Sequence, residues 1–348
     1  MPMIPRARRS VAHDLRGGGA VVIRLSALGD VALTTGVLEH WRATRGLQVI
    51  FLTRKRFAPL LAGHPAVARV IAFAPAQLRG AAWVSVARGL AKEFRGLPLI
   101  DLHGSVRSRT LALFWPGRVM RYPNYAVERR LYLRSRSSCT MRLLLDADIP
   151  QRYAMALDSQ PPPREALRPR LFLTASEIEC ARAALREAGI RSPFVAIHPY
   201  ATHPLKTWPR ATWIEMARLL AAASWEWVVV GRDPHPFMDA VDSGRDLTNR
   251  LDLRATSAVL ALASVLVTPD SGPMHLAQAV GTPVVALFGP TSREWGFYPS
   301  GPRDLVMELP MPCRPCSLHG RRGVACGQEC LTGIPPSSVV ACLERIRS

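Results

Sequence analysis

The chain has 348 residues, 48% of them hydrophobic, which is enough for two packed cores and too apolar for disorder. Its formal net charge of +19 is unevenly placed: residues 1–160 hold 25 basic and 9 acidic side chains, and residues 161–348 hold 20 and 17. The imbalance asks for an anionic partner on the front half, and no apolar run approaches the ~20 residues of a membrane-spanning helix.

Taken in chain order, Ala20–Leu25 predicts a strand, Val31–Ala43 a helix, and Val49–Leu52, Val70–Ala72 and Leu97–Leu102 further strands. That alternation argues for a parallel sheet covered by helices. Between the first strand and its helix lies RLSALGD, residues 24–30. Such a turn usually cradles a phosphate on bare backbone N–H groups, yet this one ends in the carboxylate of Asp30. Two roles fit an acid there: N-cap of the following helix, or a general base.

SQPPPREALRPR, residues 159–170, is rich in Pro and charge and interrupts the pattern. It sets the expected boundaries: a front domain over 1–160, a back domain over 161–335, and a C-terminal helix over 336–348. Alternation then resumes. Thr174 opens the helix ASEIECARAALREAG; strands follow at 194–198, 225–231, 264–270 and 283–289, with helices at 212–223, 257–263 and 273–281. Two Rossmann-like halves joined by a linker enclose a cleft. Ligands of such sheets sit beyond the carboxyl ends of the strands, so the loops there carry the chemistry.

In the loop PYATHPLKTWP, Lys206 is the only lysine of the back half of a chain in which 42 of 45 basic residues are Arg. A compact ammonium suits a diphosphate, and Thr202 stands in the same loop. Residues 268–283, TPDSGPMHLAQAVGTP, run from a strand into Asp270, Ser271 and Gly272 and then a helix carrying His275. The helix start is an anion site, Gly272 admits a ligand close to the backbone, and His275 can donate to phosphate or ribose. Capping by Asp270 and Ser271 is the plainer reading. Asp233, in the turn GRDPH after a strand, is a candidate for ribose hydroxyls.

Seven cysteines, an odd number, fit a reducing compartment. Cys313, Cys316, Cys326 and Cys330 form C-x2-C-x9-C-x3-C, with His319 as a spare ligand. Four thiolates so placed predict a tetrahedral Zn or Fe site, and reduced thiols are the alternative. Cys139, Cys180 and Cys342 read as small buried residues.

RLSALGD, the HPYATHPLKTWP loop and PDSGPMHLAQAVGTPVVALFGPT together resemble glycosyltransferase family 9, the bacterial heptosyltransferases of lipopolysaccharide core assembly. The resemblance runs from Val21 to the C-terminal helix and implies an α/β GT-B fold, two Rossmann-like domains facing a central cleft. It implies an inverting transfer of heptose from ADP-heptose to a hydroxyl of the anionic lipopolysaccharide core. Asp30 falls on the family's base. Thr202 and Lys206 fall on phosphate contacts, Asp233 on ribose, and Asp270, Ser271, Gly272 and His275 on donor contacts. In the front lobe Arg107 matches a basic acceptor-side position, with Arg54, Lys55, Arg56 and Arg79 on earlier loops. The family requires no metal or cofactor for catalysis; a protein-heptosylating branch holds iron on a Cys cluster, the precedent for a structural metal here.

The expected setting is the cytoplasm, peripheral on the inner face of the inner membrane, held by an electrostatic attraction that salt weakens. A protein Ser or Thr acceptor, or another nucleotide sugar, keeps the fold and changes the substrate. A pI near 10.9 raises nucleic-acid binding, but no finger, RRM, KH or helix-turn-helix pattern supports it. A nicotinamide dehydrogenase would need G-x-G-x-x-G where only Gly29 stands.

Overall fold

A computed structural model describes residues 18–347 apart from 192, 243, 319 and 321–326. The front half runs β1 (Gly19–Ile23), α1 (Leu28–Arg45), β2 (Gln48–Arg54), β3 (Val67–Phe73), α2 (Gly80–Glu93), β4 (Leu99–Asp101), α3 (Val106–Phe114) and β5 (Val119–Arg121). Three helices follow, α4 (Ala126–Ser135), α5 (Ser138–Leu145) and α6 (Ile149–Ala154). The back half runs α7 (Ala175–Glu187), β6 (Phe194–Ile197), α8 (Arg210–Ala222), β7 (Glu226–Val229), α9 (Leu253–Leu262), β8 (Val265–Pro269), α10 (Gly272–Ala279), β9 (Val284–Leu287) and β10 (Leu305–Met307). It closes with α11 (Glu329–Thr332) and α12 (Pro336–Arg347), the latter packed on α8.

Each half holds a five-stranded parallel sheet, in the orders β3-β2-β1-β4-β5 and β10-β9-β8-β6-β7. The strand order reverses at β1 with β4 in the first sheet and at β6 with β8 in the second. Those reversals leave a crevice between diverging crossovers, where parallel sheets bind ligands. The connection after β1 leads into Asp30 in the first turn of α1, and the loops after β4, β6 and β8 carry His103, Lys206 and Asp270, so topology alone gathers the candidate chemistry.

The central strands are apolar throughout, as strands covered on both faces must be: Ala20 to Ile23, Phe194 to Ile197 and Val265 to Val267 are fully or almost fully buried. One buried cluster continues from Val22 and Phe51 in the first sheet to Ala196 and Leu266 in the second. α1 makes the bridge, packing on its own sheet and on α10 of the other half. Gly36 in α1 lets the connecting chain pass close by: a Cβ there would lie 2.3 Å from the carbonyl oxygens of Leu167 and Arg168.

Several expectations change. The Pro-rich segment 159–170 includes a short 3-10 turn, Arg164–Leu167, because Leu167 is buried against the core. α1 begins at Leu28 instead of Val31, which makes Asp30 its third residue and not its N-cap. Cys139 and Cys180 are exposed and Cys342 half-buried, against the expectation of burial. α5 buries Leu144, and α7 buries Ala181 and Leu185, which turns Cys139 and Cys180 outward. α2 to α6 and the short edge strands β5 and β10 had no counterpart in the sequence reading.

Candidate active site

The turn after β1 is organised around one carboxylate. Asp30 Oδ2 accepts the Ala27 N–H at 2.9 Å, while Oδ1 accepts the Tyr153 hydroxyl at 2.7 Å and pairs with Arg24 Nη2 at 2.6 Å. Tyr153 comes from α6, and the Arg24 guanidinium lies over its ring at 5.1 Å. Burial alone would raise the pKa of Asp30; the Arg24 charge with the Ala27 and Tyr153 hydrogen bonds outweighs it and holds the group below the ordinary carboxylate range. Asp30 is therefore ionised at neutral pH, dry on most sides, and fixed in place. Its side chain retains 16% exposure.

Opposite stands the start of α10. Gly29 has the His275 ring against it, so that a Cβ would meet Cδ2 at 2.4 Å; Gly272 has Leu28 against it, with Cδ2 2.6 Å from such a Cβ. The two helix N-termini thus abut through two bare α-carbons. His275 Nδ1 lies 3.0 Å from Gln278 Oε1, and Gln278 Nε2 donates to Asp304 at 3.3 Å. Asp304 fixes the amide orientation, so Nδ1 carries the imidazole proton and Nε2 is an acceptor. That suits a sugar hydroxyl better than a phosphate oxygen, the reverse of the donor role expected for His275.

Ser271 is the N-cap of α10 but caps nothing with its side chain; its hydroxyl bonds Thr268 Oγ1 at 3.0 Å. Asp270 is not a cap either. Lys206 Nζ pairs with Asp270 Oδ2, which also accepts the Thr291 hydroxyl at 2.7 Å. Burial pushes the Asp270 carboxyl up, but Lys206 and Thr291 more than offset it and its pKa stays below the usual range. Capping by Asp270 and Ser271 is thereby overturned, and the first N–H groups of α10 keep their anion-binding capacity.

Thr202 is exposed in the Lys206 loop. Asp233 closes its own turn: Oδ1 accepts the His235 N–H at 2.8 Å, and its backbone N–H donates to Asn249 Oδ1 at 3.1 Å. Both belong to loops at the carboxyl ends of back-sheet strands, without joining the Lys206–Asp270 pair.

On the front half Arg54, Lys55, Arg56, Arg79 and Arg107 line one cavity of about 250 Å³ with Phe73, Pro75 and Leu78. Arg107 is anchored by Nε donating to Leu78 O at 2.8 Å. Burial, then the neighbouring Arg56 and Arg107 charges, lowers the pKa of Arg54.

Of the proposed metal ligands, Cys313 and Cys316 are half-buried and Cys330 is buried, while Cys326 and the spare ligand His319 lie outside the described residues. Among the described residues no group of three or more His, Cys, Asp or Glu is arranged to hold a metal. Cys316 Sγ instead lies 3.8 Å from Pro290 O, and Cys330 Sγ sits beside Gly289.

Sequence reasoning missed Arg24, Tyr153, Thr291 and His103. Arg24 stands inside the quoted turn and carried a signal, a charge at the end of a buried strand; Tyr153 is 123 residues from Asp30 and carried none.

A model of glycosyltransferase family 9 (heptosyltransferase) matches residues 99–322. The chain belongs to glycosyltransferase family 9. It is a glycosyltransferase enzyme, and its two facing sheets are the GT-B fold. The family 9 chain is 28% identical over 319 residues to lipopolysaccharide heptosyltransferase 1 of Pseudomonas aeruginosa, covering 85% of each. A family 9 glycosyltransferase from Veillonella parvula superposes with a TM-score of 0.71 at 19% identity, covering 96% of this chain and 98% of that one. The ADP-heptose lipopolysaccharide heptosyltransferase II of E. coli gives 0.68 at 20% identity, over 94% and 98%. No helix among the described residues of this glycosyltransferase is long and apolar enough to cross a membrane.

Four histidines give the enzyme an acid liability. Burial lowers the pKa of His64 and His275, pushes that of His198 down to about 4, and, with help from Arg24, that of His103 to about 3. An unfolded chain protonates them near pH ~6.5, so below that pH it binds more protons than the fold does and stability falls as pH falls. Buried Asp148 and Asp304, whose pKa values are raised, act in the opposite sense nearer the carboxylate range. Thermal melts between about pH 7 and about pH 5.5 are expected to show a falling Tm. A flat profile would refute the buried neutral histidines.

Proposed function

We propose that this glycosyltransferase moves heptose from ADP-heptose to a hydroxyl of the lipopolysaccharide inner core, with inversion, working peripherally at the cytoplasmic face of the inner membrane. The observation that carries the reading is the abutment of two unlike helix starts: α1 presents an ionised carboxylate, and α10 presents N–H groups beside a lysine. A base at one helix start and a leaving-group site at the helix start packed against it suit a single displacement.

In that step the acceptor oxygen forms its bond to the anomeric carbon as the bond to the ADP oxygen breaks. Asp30 takes the hydroxyl proton; a weak carboxylate base is adequate because the hydroxyl acidifies sharply as the new C–O bond forms. The charge appearing on ADP meets Lys206 and the α10 N-terminus, already oriented and partly dry. His275 Nε2 accepts from a hydroxyl of the donor, and Thr202 and Asp233 extend the donor site. Arg54, Lys55, Arg79 and Arg107 take the acceptor's carboxylate or phosphate groups. The front domain over 1–160 is the acceptor lobe and 161–335 the donor lobe. The lipopolysaccharide relatives and the family support the reading.

The test is ADP release by purified protein supplied with ADP-heptose and heptose-less core lipopolysaccharide. Release above the rate without acceptor is the expected result. Binding of ADP-heptose without release would replace the acceptor, with protein Ser or Thr tried next; no binding would replace the donor.

A further inference from the structure

The loop after β4 is built to present one side chain. Asp101, almost fully buried at the strand's end, accepts the backbone N–H groups of His103 and Gly104 through Oδ1, each at 2.9 Å. Gly104 turns the chain with φ +63°, and a Cβ there would be 3.2 Å from Asn124 Nδ2. Arg24, the partner of Asp30, also donates to the carbonyl of Leu102, the residue before His103. One guanidinium therefore ties the base to the peptide that carries His103.

The His103 imidazole is half-buried, and its Nδ1 is shut off from solvent with no hydrogen-bond partner among the described residues. Buried polar atoms are nearly always paired, so an orphan beside a reaction centre asks for a missing ligand. The groups acting on His103 are, after burial itself, Arg24, Asp30, Arg54 and Arg107. Arg24 and Asp30 belong to the ion pair tied to the Leu102 carbonyl, and Arg54 and Arg107 line the basic cavity, so the ring lies within electrostatic reach of both. With a pKa pushed down to about 3 the ring stays neutral, so it donates or accepts a hydrogen bond and relays no proton.

We infer that His103 is an acceptor-binding residue: its imidazole hydrogen-bonds a hydroxyl of the acceptor sugar next to the attacking one, between the Arg-lined cavity and Asp30. This rests on the transfer proposed above. It makes His103 a reader of acceptor hydroxyl pattern, a role that charge alone in the basic cavity does not supply.

The test compares His103→Phe, which keeps an aromatic ring without hydrogen bonds, with His103→Gln, which restores one. KM for the core acceptor is expected to rise about ten-fold in the Phe variant, with KM for ADP-heptose at the wild-type value and partial recovery in the Gln variant. An unchanged acceptor KM in His103→Phe would overturn the inference. So would equal losses toward both substrates, which mark a structural role. Failure of the underlying reading is separate and visible in the wild type, as absence of transfer to that acceptor, and it removes the inference as well.

Discussion

Asp30→Asn is expected to lower kcat for transfer by about 10²–10⁴-fold in a protein that still folds. Asparagine keeps one oxygen for the Ala27 N–H, and its amide N–H can donate to the Tyr153 hydroxyl oxygen in place of the bond that Asp30 accepts, so the start of α1 survives. It cannot take a proton. Some stability is lost as well, because Arg24 keeps its buried charge without a counter-ion. The companion variant Arg24→Met separates charge from geometry. Removing the cation that lowers the Asp30 pKa shifts the acid limb of the pH–rate profile upward, whereas in wild type that limb lies below the ordinary carboxylate range. Near-normal turnover in a folded Asp30→Asn variant would leave Asp30 a helix-start residue and move the base elsewhere.

Lys206→Met carries the second large effect. Its partner Asp270 is 11% exposed, and a buried carboxylate stripped of its cation costs ~3–5 kcal/mol. A fall in kcat of about 10²–10³-fold is expected on top, from a leaving group that has lost its charge partner. The double variant Lys206→Met/Asp270→Asn distinguishes the two losses. The amide still accepts from Thr291 and needs no cation, so Tm recovers while activity stays low. Recovery of activity along with Tm would show that Lys206 only neutralises Asp270.

The sequence was legible where side chains answer to their own neighbours. The buried strands β1 and β6 are unbroken apolar runs, β2 and β8 hold such runs at Val49–Leu52 and Val265–Val267, and the α7 boundary is marked by Thr174, whose hydroxyl accepts the Glu177 N–H at 3.3 Å. β5 and β10 are three-residue edge strands with little burial, too short to show a period. The basic residues Arg54, Lys55, Arg79 and Arg107 were legible as charge and do share a cavity. The partners of Asp30 were only half so. Arg24 precedes it by six residues, but Tyr153 arrives from α6 through tertiary packing, which no local pattern encodes. For Asp270 and Ser271 the sequence left capping as the plainer alternative to donor contacts, because capping is a rule about one helix, and the partner Lys206 comes from another loop.

The seat where Gly29 receives His275 and Gly272 receives Leu28 also limits how this enzyme can move. With no free space between the two bare α-carbons and their neighbours, the halves cannot be pushed nearer at that point. A methyl group at either position would have to wedge the two helix starts apart, so the seat that joins the halves tolerates nothing larger than glycine at both places at once.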